Sequence, residues 1–449
     1  MRTSTHRNNS DRRRLAAGSL TLVAALALAA CGGGTTPEQA AQGGGDAPEG
    51  AGEFTGEYNG PAVELSYWNG FTGGDGPFMQ ELVDQFNSEH ENITVVPNTI
   101  QWADFYQRLP AAVNAGEGPD VGAMHLDQLA TNAARNVIVP LDDLTEALGL
   151  SADDFSEEVW NAGTYQEKRY GIPLDVHSLA MYYNTEHFEA AGITEPPTDA
   201  ASFMAALDAL KAAGYEQPFW MPTLWPAHLI YLSLTWQNGG EPYAVDGSGA
   251  NFDSPESVEA LEWQRSIVEQ GYSPANVAID SQYVAFKNGE NSITWDGIWQ
   301  INDLEASGMS WDMAPLPAIF DDQLFWANSH QFFMTKQATA GENKYAAAQV
   351  FLAWMSEQSG TWAQAGMIPA RESARADALP GTRQEPVADL IDNMRFLPAV
   401  PGIGTVQAET LEPAVAKTIL GEQDAQAALE SAAKQATGLM EENQQSFGG

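Results

Sequence analysis

Strands and helices alternate in the sequence from residue 63 onward, and this alternation is the strongest constraint on the fold. Residues 63–68 alternate apolar and polar side chains, which is typical of a half-buried strand. Pro77 opens a helix with apolar residues on one face, and 93–96 and 120–124 predict two further strands with a helix between them. This order favours an α/β fold with a doubly wound parallel sheet.

The second half of the chain continues the mixed pattern without a clean internal repeat. Apolar periodicity predicts helices at 202–211, 255–268, 344–355 and 409–445, and an apolar segment leads into residues 295–299. The 449 residues are too many for one small domain. We therefore expect two lobes.

The first 30 residues predict an export signal rather than part of the fold. Arg12, Arg13 and Arg14 form a positive segment, and the apolar run at 15–30 is short for a membrane span and ends in small residues. The arginines leave the export route, general or twin-arginine, open. Residues 31–60 are rich in Gly, Ala, Pro and acidic residues, which predicts a flexible tether.

The only cysteine of the chain directly follows this apolar run. The segment Leu28-Ala29-Ala30-Cys31 resembles the lipobox of bacterial lipoproteins. The resemblance implies cleavage before Cys31, lipid attachment at its thiol and anchoring at the outer face of the cytoplasmic membrane. An ordinary signal peptide with an incidental cysteine is the alternative.

The charge balance excludes some classes of partner. The chain has 20 Lys and Arg against 60 Asp and Glu, a net charge of −40. Nucleic acid is not expected as a partner, because neutralising phosphates takes a basic face. An anionic small ligand is disfavoured for the same reason. The acidic surface favours solubility, and whether it also reflects a saline habitat stays open.

Polar residues follow several of the predicted strands. In doubly wound sheets, ligands bind at the carboxyl ends of the strands. The loop 69–76 leaves the first strand and enters a helix N-terminus, where free N–H groups can meet ligand oxygens. His125 and Asp127 follow the third strand, and Asp175 and His177 follow another short apolar segment. These positions are the first candidates for a binding site.

Six short segments stand out in order along residues 61–449: Ser66–Gly73, Gly118–Val121, Tyr170–His177, Met181–Asn184, Trp295–Trp299 and Gly366–Arg371. No single segment is decisive. Together, behind a lipobox, they resemble the extracellular solute-binding proteins of ABC importers, and specifically the sugar-binding branch that includes maltose-binding protein.

The resemblance implies a type II periplasmic-binding-protein-like fold, that is, two hinged α/β lobes with the ligand in the cleft between them. The first lobe is expected at 61–174 plus 318–358, and the second at 175–312 plus 360–449. Hinge closure would bury the ligand, which must bind the closed state better than the open one. The resemblance further implies a monomer that delivers a mono- or oligosaccharide to the permease subunits of an importer.

A sugar ring has polar edges and an apolar C–H face, and the chain supplies side chains for both. Aromatic faces complement the C–H face. Carboxylate, amide and imidazole groups satisfy hydroxyls, which are costly to bury unpaired. The candidate ligand-binding residues are Trp68, Asn69, Asp75, His125, Asp127, Asp175, His177, Trp225, Trp295, Asp296, Trp299, Asn328, His330 and Arg371.

Trp299 is the first stacking candidate among these residues. The resemblance aligns it with a stacking tryptophan in an Asn-Gly-Pro-Trp stretch of maltose-binding protein, from which Asp296 is a departure. Trp225 lies in a Leu-Trp-Pro segment that resembles an aromatic element of the cleft wall. Core packing is the alternative for Trp225, Trp295 and Trp299, because the chain has 13 tryptophans.

Several polar candidates have structural alternatives. Asp75 either contacts the ligand or caps the helix that begins near Pro77. Asp175 and His177 either contact the ligand or make hydrogen bonds at the hinge. Arg371 makes a bidentate contact either with the ligand or with an interlobe aspartate.

Motifs typical of enzymes are absent from the sequence. It contains no Gly-Lys dipeptide of a phosphate loop, no Gly-x-Ser-x-Gly elbow and no His-Glu-x-x-His. The 7 histidines are scattered, so neither a metal nor another cofactor is expected, and the chain is predicted not to be an enzyme. The alternatives are a binder of a polyol, peptide or phosphorylated compound, a surface adhesin, and a secreted glycosidase, which needs only two carboxylates about 5–10 Å apart.

Overall fold

The structure, a computed structural model, describes residue 54 and residues 56–447. The predicted export signal at 1–30, Cys31 and most of the 31–60 tether lie outside the described residues. Among the described residues, no helix combines the length and the apolar character that crossing a bilayer requires.

The strands are short except for one of ten residues at the middle of the chain. In chain order they are β1 (Val63–Asn69), β2 (Ile93–Thr99), β3 (Val121–His125), β4 (Thr164–Tyr165), β5 (Lys168–Arg169), β6 (Ile172–Pro173), β7 (Asp175–Asn184), β8 (Ile293–Gly297), β9 (Trp311–Ala314), β10 (Phe325–Asn328), β11 (His330–Met334), β12 (Ile368–Pro369) and β13 (Met394–Arg395).

The helices lie between these strands and after them. In chain order they are α1 (Gly76–Glu89), α2 (Trp102–Ala115), α3 (Leu126–Ala134), α4 (Asp142–Ala147), α5 (Glu157–Ala162), α6 (Thr185–Ala191), α7 (Ala200–Ala212), α8 (Ala227–Gln237), α9 (Pro255–Glu269), α10 (Ser281–Lys287), α11 (Ile301–Ser307), α12 (Glu342–Glu357), α13 (Ser359–Trp362), α14 (Glu372–Ala378), α15 (Glu385–Ala388), α16 (Ile403–Val406), α17 (Glu412–Ile419) and α18 (Ala425–Phe447). A π-helical segment, Gln407–Leu411, joins α16 to α17.

The first sheet has the strand order β2-β1-β3-β11-β6. β1 runs parallel to β2 and β3, whereas β11 runs antiparallel to β3 and β6. The predicted parallel arrangement is therefore confirmed for the first three strands, and the return strand β11 departs from it.

The second sheet is built around β7. This strand pairs antiparallel with β8, β9, β10 and β12, and β10 pairs parallel with β13. Here the expectation of a parallel sheet is wrong. The first eight residues of β7, counted from Asp175, are all buried. Such an unbroken run is typical of a central strand that is covered on both faces.

The chain passes between the two sheets three times, because it returns from β11 to β12 of the second sheet through α12 and α13, and the first two crossings are neighbours. It leaves β6 of the first sheet and enters β7 of the second at Leu174, and it passes from β10 to β11 at Ser329. The segment 318–358 therefore contributes one strand to each sheet. The first two crossings are joined by a hydrogen bond, because the Leu174 N–H donates to the His330 carbonyl at 2.9 Å.

The helices cover the sheets according to their apolar patterns. In α1, the buried residues Met79, Leu82, Val83 and Phe86 lie on one face, at the spacing of an amphipathic surface helix. Every residue of α8, in contrast, is buried. α12 packs on the first sheet, where Lys344 Nζ contacts the buried Asp120 carboxylate at 2.8 Å.

His228, in the first turn of α8, gives this buried helix a sensitivity to acid. Burial lowers the pKa of His228 from 6.5 to about 3. The charged group beside it is Glu412, whose Oε1 lies 3.6 Å from His228 Nε2. Because the imidazole is neutral in the folded state, its contribution to stability is present above pH 6.5 and is lost as the pH falls toward 3.

We expect the His228→Leu variant to lose less stability between pH 7 and pH 5 than the parent protein. The difference should be about 2 kcal/mol, since each pH unit below the unfolded pKa costs about 1.4 kcal/mol. Urea unfolding at both pH values measures it. His90→Gln, which changes a partly exposed histidine at the end of α1, should keep the pH dependence of the parent protein. An identical dependence in His228→Leu would contradict the expectation.

Candidate functional site

The Asp175 carboxylate lies where the chain crosses between the sheets, and it is fully buried. Its Oδ1 accepts hydrogen bonds from the His330 backbone N–H at 3.0 Å and from His177 Nδ1 at 3.1 Å. Its Oδ2 accepts from His330 Nδ1 at 2.7 Å and from Trp362 Nε1 at 2.6 Å. One carboxylate therefore binds side chains of β7, β11 and α13.

The charge state of Asp175 follows from these contacts. Burial alone would raise its pKa, but the electrostatic effect of His330 and the hydrogen bonds from His177 and His330 outweigh it and hold the pKa well below its usual range. Asp175 is therefore ionised at neutral pH.

His125 completes a cluster of three imidazoles. Its ring centroid lies 4.7 Å from that of His330 and 5.4 Å from that of His177, and the His177 and His330 rings are stacked at 4.3 Å. Burial lowers the pKa of both His125 and His330, and the neighbouring imidazoles add to the effect. The Tyr106 hydroxyl contacts His125 Nδ1 at 2.6 Å. These histidines are scattered in the sequence but meet in the fold.

Aromatic rings contact the histidine cluster from the side of the first sheet. Phe71, in the loop after β1, lies with its ring centroid 4.7 Å from that of His330 and 5.0 Å from that of Trp362. The Trp102 ring lies 4.5 Å from that of His125, and it packs over the backbone of Gly70. Phe71 and Trp102 form the first aromatic wall.

A second aromatic wall, formed by Trp225, Trp299 and Trp326, lies on the side of the second sheet. The Trp299 ring centroid is 5.8 Å from that of His177, 6.3 Å from that of Trp225 and 6.4 Å from that of Trp326. Trp225 keeps 37% of its surface exposed, and Trp299 is partly buried. Indole faces remain accessible on this wall.

The loop after β1 contacts the second lobe next to Trp299. A methyl group placed on Gly74 would lie 3.2 Å from the Asp303 backbone nitrogen, 3.3 Å from Asn302 Cβ and 3.5 Å from the Trp299 carbonyl oxygen. A side chain at this position would require these neighbours to shift by a few tenths of an ångström. The two lobes are therefore in contact at the rim, next to Trp299.

Three more carboxyl groups are buried among the candidate residues. Burial raises the pKa of Asp75, Asp127 and Asp296 from 3.8 to about 6 in each case. Asp75 Oδ1 accepts the Gly73 N–H at 3.1 Å and makes no side-chain cap to α1, so capping does not explain its position. Asp296 Oδ1 accepts the N–H of the next residue at 2.8 Å.

Asp127 differs from the other carboxyl groups because it has an unused acceptor. Its Oδ1 is inaccessible to water and has no hydrogen-bond partner among the described residues. An unpaired buried oxygen costs free energy, typically about 1–3 kcal/mol. A ligand hydroxyl that donates a hydrogen bond to this oxygen would relieve that cost.

Some predicted site residues serve the backbone instead. Asn69 Oδ1 accepts the Phe71 N–H at 3.2 Å, which shapes the loop that carries the first aromatic wall. Asn328 Oδ1 accepts the N–H groups of Leu126 and Ser329, at 3.2 and 2.8 Å, and so ties α3 to the second crossing. Both side chains therefore hold the backbone next to the site in place.

Three other predicted residues make contacts within the protein. The prediction of ligand contact is corrected for Trp295, because its ring is 1% exposed and packs in the core, stacked on Trp263 with centroids 5.7 Å apart. Trp68 packs, partly buried, against the core beside α2. Arg371 Nη2 donates to Ser356 Oγ at 2.8 Å, which joins the start of α14 to α12 rather than to the histidines.

Sequence reasoning missed Phe71, Trp102, Tyr106, Trp326 and Trp362. Phe71 lies in the loop 69–76, which the rule about strand ends already marks as part of the site. Trp362 has no local signal, because its partner Asp175 is 187 residues away in the sequence.

Comparison with known proteins agrees with this architecture. A family model described as "Bacterial extracellular solute-binding protein" matches residues 81–385, which is more than half of the chain. The chain belongs to this family. The resemblance inferred from the six sequence segments is therefore confirmed.

Individual relatives are distant but cover most of the fold. The crystal structure of the cyclic alpha-maltosyl-1,6-maltose binding protein from Arthrobacter globiformis matches with a TM-score of 0.72 at 21% identity, over 85% of this chain and 100% of that one. At this identity the likeness shows the fold, which is the expected two-lobed α/β fold. The maltotriose-binding protein of Pyrococcus abyssi is 22% identical over 350 residues, 76% of this chain and 74% of that protein. The sn-glycerol-3-phosphate-binding periplasmic protein of Pectobacterium atrosepticum is 24% identical over 249 residues, 52% and 55% of the two chains.

We expect Asp175→Asn to destabilise the protein strongly, because an amide cannot accept all the hydrogen bonds that converge on the two carboxylate oxygens. The free energy of unfolding should fall by about 2–5 kcal/mol at pH 7. Urea unfolding measures the change. Asp321→Asn, at an exposed aspartate, is the matched control and should stay within about 0.5 kcal/mol. A similarly small change in Asp175→Asn would show that these hydrogen bonds do not hold the crossing together.

Proposed function

We propose that this protein binds an uncharged mono- or oligosaccharide in the interlobe cleft and delivers it to the permease of an ABC importer. It acts as a monomeric binding protein and not as an enzyme. The observation that carries the proposal is the pairing of accessible indole faces, at Trp225 and Trp299, with buried polar groups, above all the unpaired Asp127 Oδ1. This combination suits a guest with an apolar C–H face and hydroxyl edges.

The charges around the histidine cluster favour an uncharged guest. Asp175 is ionised, and the residues whose described contacts join it are His177, His330 and Trp362, none of which is a lysine or arginine. Lys287 Nζ forms an ion pair with Oδ2 of Asp303, whose backbone lies beside Gly74, at 2.6 Å. A phosphate placed beside Asp175 would therefore meet a negative charge with no lysine or arginine next to it.

A phosphorylated solute is the second candidate, because a glycerol-3-phosphate-binding protein is among the relatives. Calorimetric titration with maltose, maltotriose, cyclic alpha-maltosyl-1,6-maltose and glycerol 3-phosphate separates the two candidates. We expect a dissociation constant of micromolar or tighter for at least one sugar, about −8 kcal/mol, and the sugar should be recovered unchanged. Flat titrations with all sugars, or hydrolysis of the bound sugar, would contradict the proposal.

Trp299→Ala should weaken sugar binding more than tenfold, because it removes the indole face between His177 and Trp225. That loss corresponds to more than about 1.4 kcal/mol. The same titration on the variant measures it.

Trp354→Ala is the matched control for this change. Trp354 packs on Phe86 of α1 and donates to Glu89, on the outer side of the first lobe, so its loss should leave the affinity unchanged. Equal affinities for Trp299→Ala and the parent protein, with both folded, would show that Trp299 does not contact the sugar.

The lipid anchor is part of the proposal. We infer that lipidated Cys31 holds the protein at the outer face of the cytoplasmic membrane, with two or more acyl chains giving stable attachment. Cys31→Ala should then release the protein in soluble form, detected by fractionating cells and medium. Cys31 is the only cysteine, so the variant removes every possible thiol attachment. Retention of the variant on the membrane would contradict a lipid anchor.

A further inference from the structure

Three imidazoles from distant parts of the chain meet at the junction of the two sheets. A nitrogen atom of each of His125, His177 and His330 lies within 4.8 Å of the other two. His330 stands opposite His125 in the pairing of β11 with β3. In the pairing of β7 with β10, His177 stands opposite Asn328. Asn328 precedes His330 by two residues in the sequence. The three rings are therefore fixed by strand pairing and not by mobile loops.

Each of these rings is oriented through the same nitrogen atom. Nδ1 of His177 and of His330 contacts the two oxygens of Asp175, at 3.1 and 2.7 Å, and Nδ1 of His125 contacts the Tyr106 hydroxyl at 2.6 Å. Since the Asp175 carboxylate only accepts, the two rings that contact it carry their proton on Nδ1. Their Nε2 atoms then have a free lone pair, and no described hydrogen bond engages Nε2 of any of the three rings.

This arrangement is the one that histidine ligands adopt in metal sites. A metal-bound imidazole typically donates its other N–H to a carboxylate or another oxygen, which fixes the tautomer and the ring direction. The Asp175 carboxylate lies behind two of the rings, where it accepts from their Nδ1 atoms. Three nitrogen ligands favour Zn²⁺, Cu²⁺ or Ni²⁺ over Mg²⁺ and Ca²⁺, which take oxygen ligands.

We propose that His125, His177 and His330 form a binding site for one divalent transition-metal ion, with zinc as the representative ion. The Nε2 atoms are the ligands, Asp175 and Tyr106 orient them, and a fourth position stays open. Zn–N bonds of about 2.0–2.1 Å in a tetrahedron place the ligand atoms about 3.3 Å apart. One nitrogen atom of each ring already lies within 4.8 Å of the other two, so small movements of the rings would bring the ligands around the ion.

The direct test is a titration of the full chain, purified without a polyhistidine tag, with Zn²⁺ and with Co²⁺ in the absence of any sugar. We expect one tightly bound ion per chain and, for cobalt, the visible absorption of a tetrahedral site with nitrogen ligands. Because the ion binds the folded state, the thermal midpoint should rise with zinc concentration. The sugar plays no part in this test, so its outcome is independent of the function proposed above.

His125→Gln is the main variant, since His125 makes no contact with the Asp175 carboxylate. It should weaken zinc binding at least about tenfold and remove the tetrahedral cobalt spectrum. His90→Gln is the matched control and should bind zinc like the parent protein. Tyr106→Phe should keep the cobalt spectrum but bind zinc about tenfold more weakly, as expected for a positioning residue.

Two outcomes would overturn the proposal. The first is unchanged zinc affinity in His125→Gln. The second is zinc binding by the parent protein that excess Ca²⁺ displaces, because that would assign the ion to the acidic surface of a chain with 60 Asp and Glu residues. The cobalt spectrum of the unaltered protein decides the question even if His125→Gln fails to fold, since an octahedral spectrum of oxygen ligands contradicts the proposed site.

Discussion

The ionised carboxylate of Asp175 is the interaction on which the rest of the site depends. It is fully buried, yet it stays charged because donors from β7, β11 and α13 converge on both of its oxygens. In a low-dielectric interior, such a charge is stable only while every donor remains in place. The same hydrogen bonds set the direction of two imidazoles and of the Trp362 indole. The position of the chain crossings and the chemistry of the site therefore have one physical cause.

The surroundings of Asp175 decide which guests the junction can accept. Burial lowers the pKa values of His125 and His330, and the walls are indole and phenyl rings. An anion gains nothing here, whereas an uncharged ring with hydroxyl groups gains aromatic faces and acceptors. A small dication gains the three Nε2 atoms and the charge of Asp175. The two proposed guests would use different atoms, since the indole faces of Trp225 and Trp299 belong to the wall and the histidine nitrogen atoms to the junction of the sheets.

Local sequence patterns predicted the elements but only part of the site. Strand periodicity followed by polar residues located His125, Asp127 and Asp175, because the rule about strand ends needs only short-range information. It could not separate Trp295 from Trp299, which are four residues apart. Trp295 lies inside β8, where it packs into the core, whereas Trp299 lies in the turn just beyond the strand. The antiparallel return of β11, which brings His330 beside His125, depends on pairing between residues about 200 positions apart and has no local signal.

The positions of the three histidines also connect the site to motion between the lobes. His125 and His330 face each other within the first sheet, so their separation is fixed by one strand pair. His177 belongs to β7 of the second sheet. A movement of one sheet relative to the other therefore changes the distance from His177 to His125 while leaving His125 and His330 together. A guest that contacts both sets of residues, whether sugar or metal ion, would bind the approached lobes better than the separated ones, and that difference in affinity would favour closure.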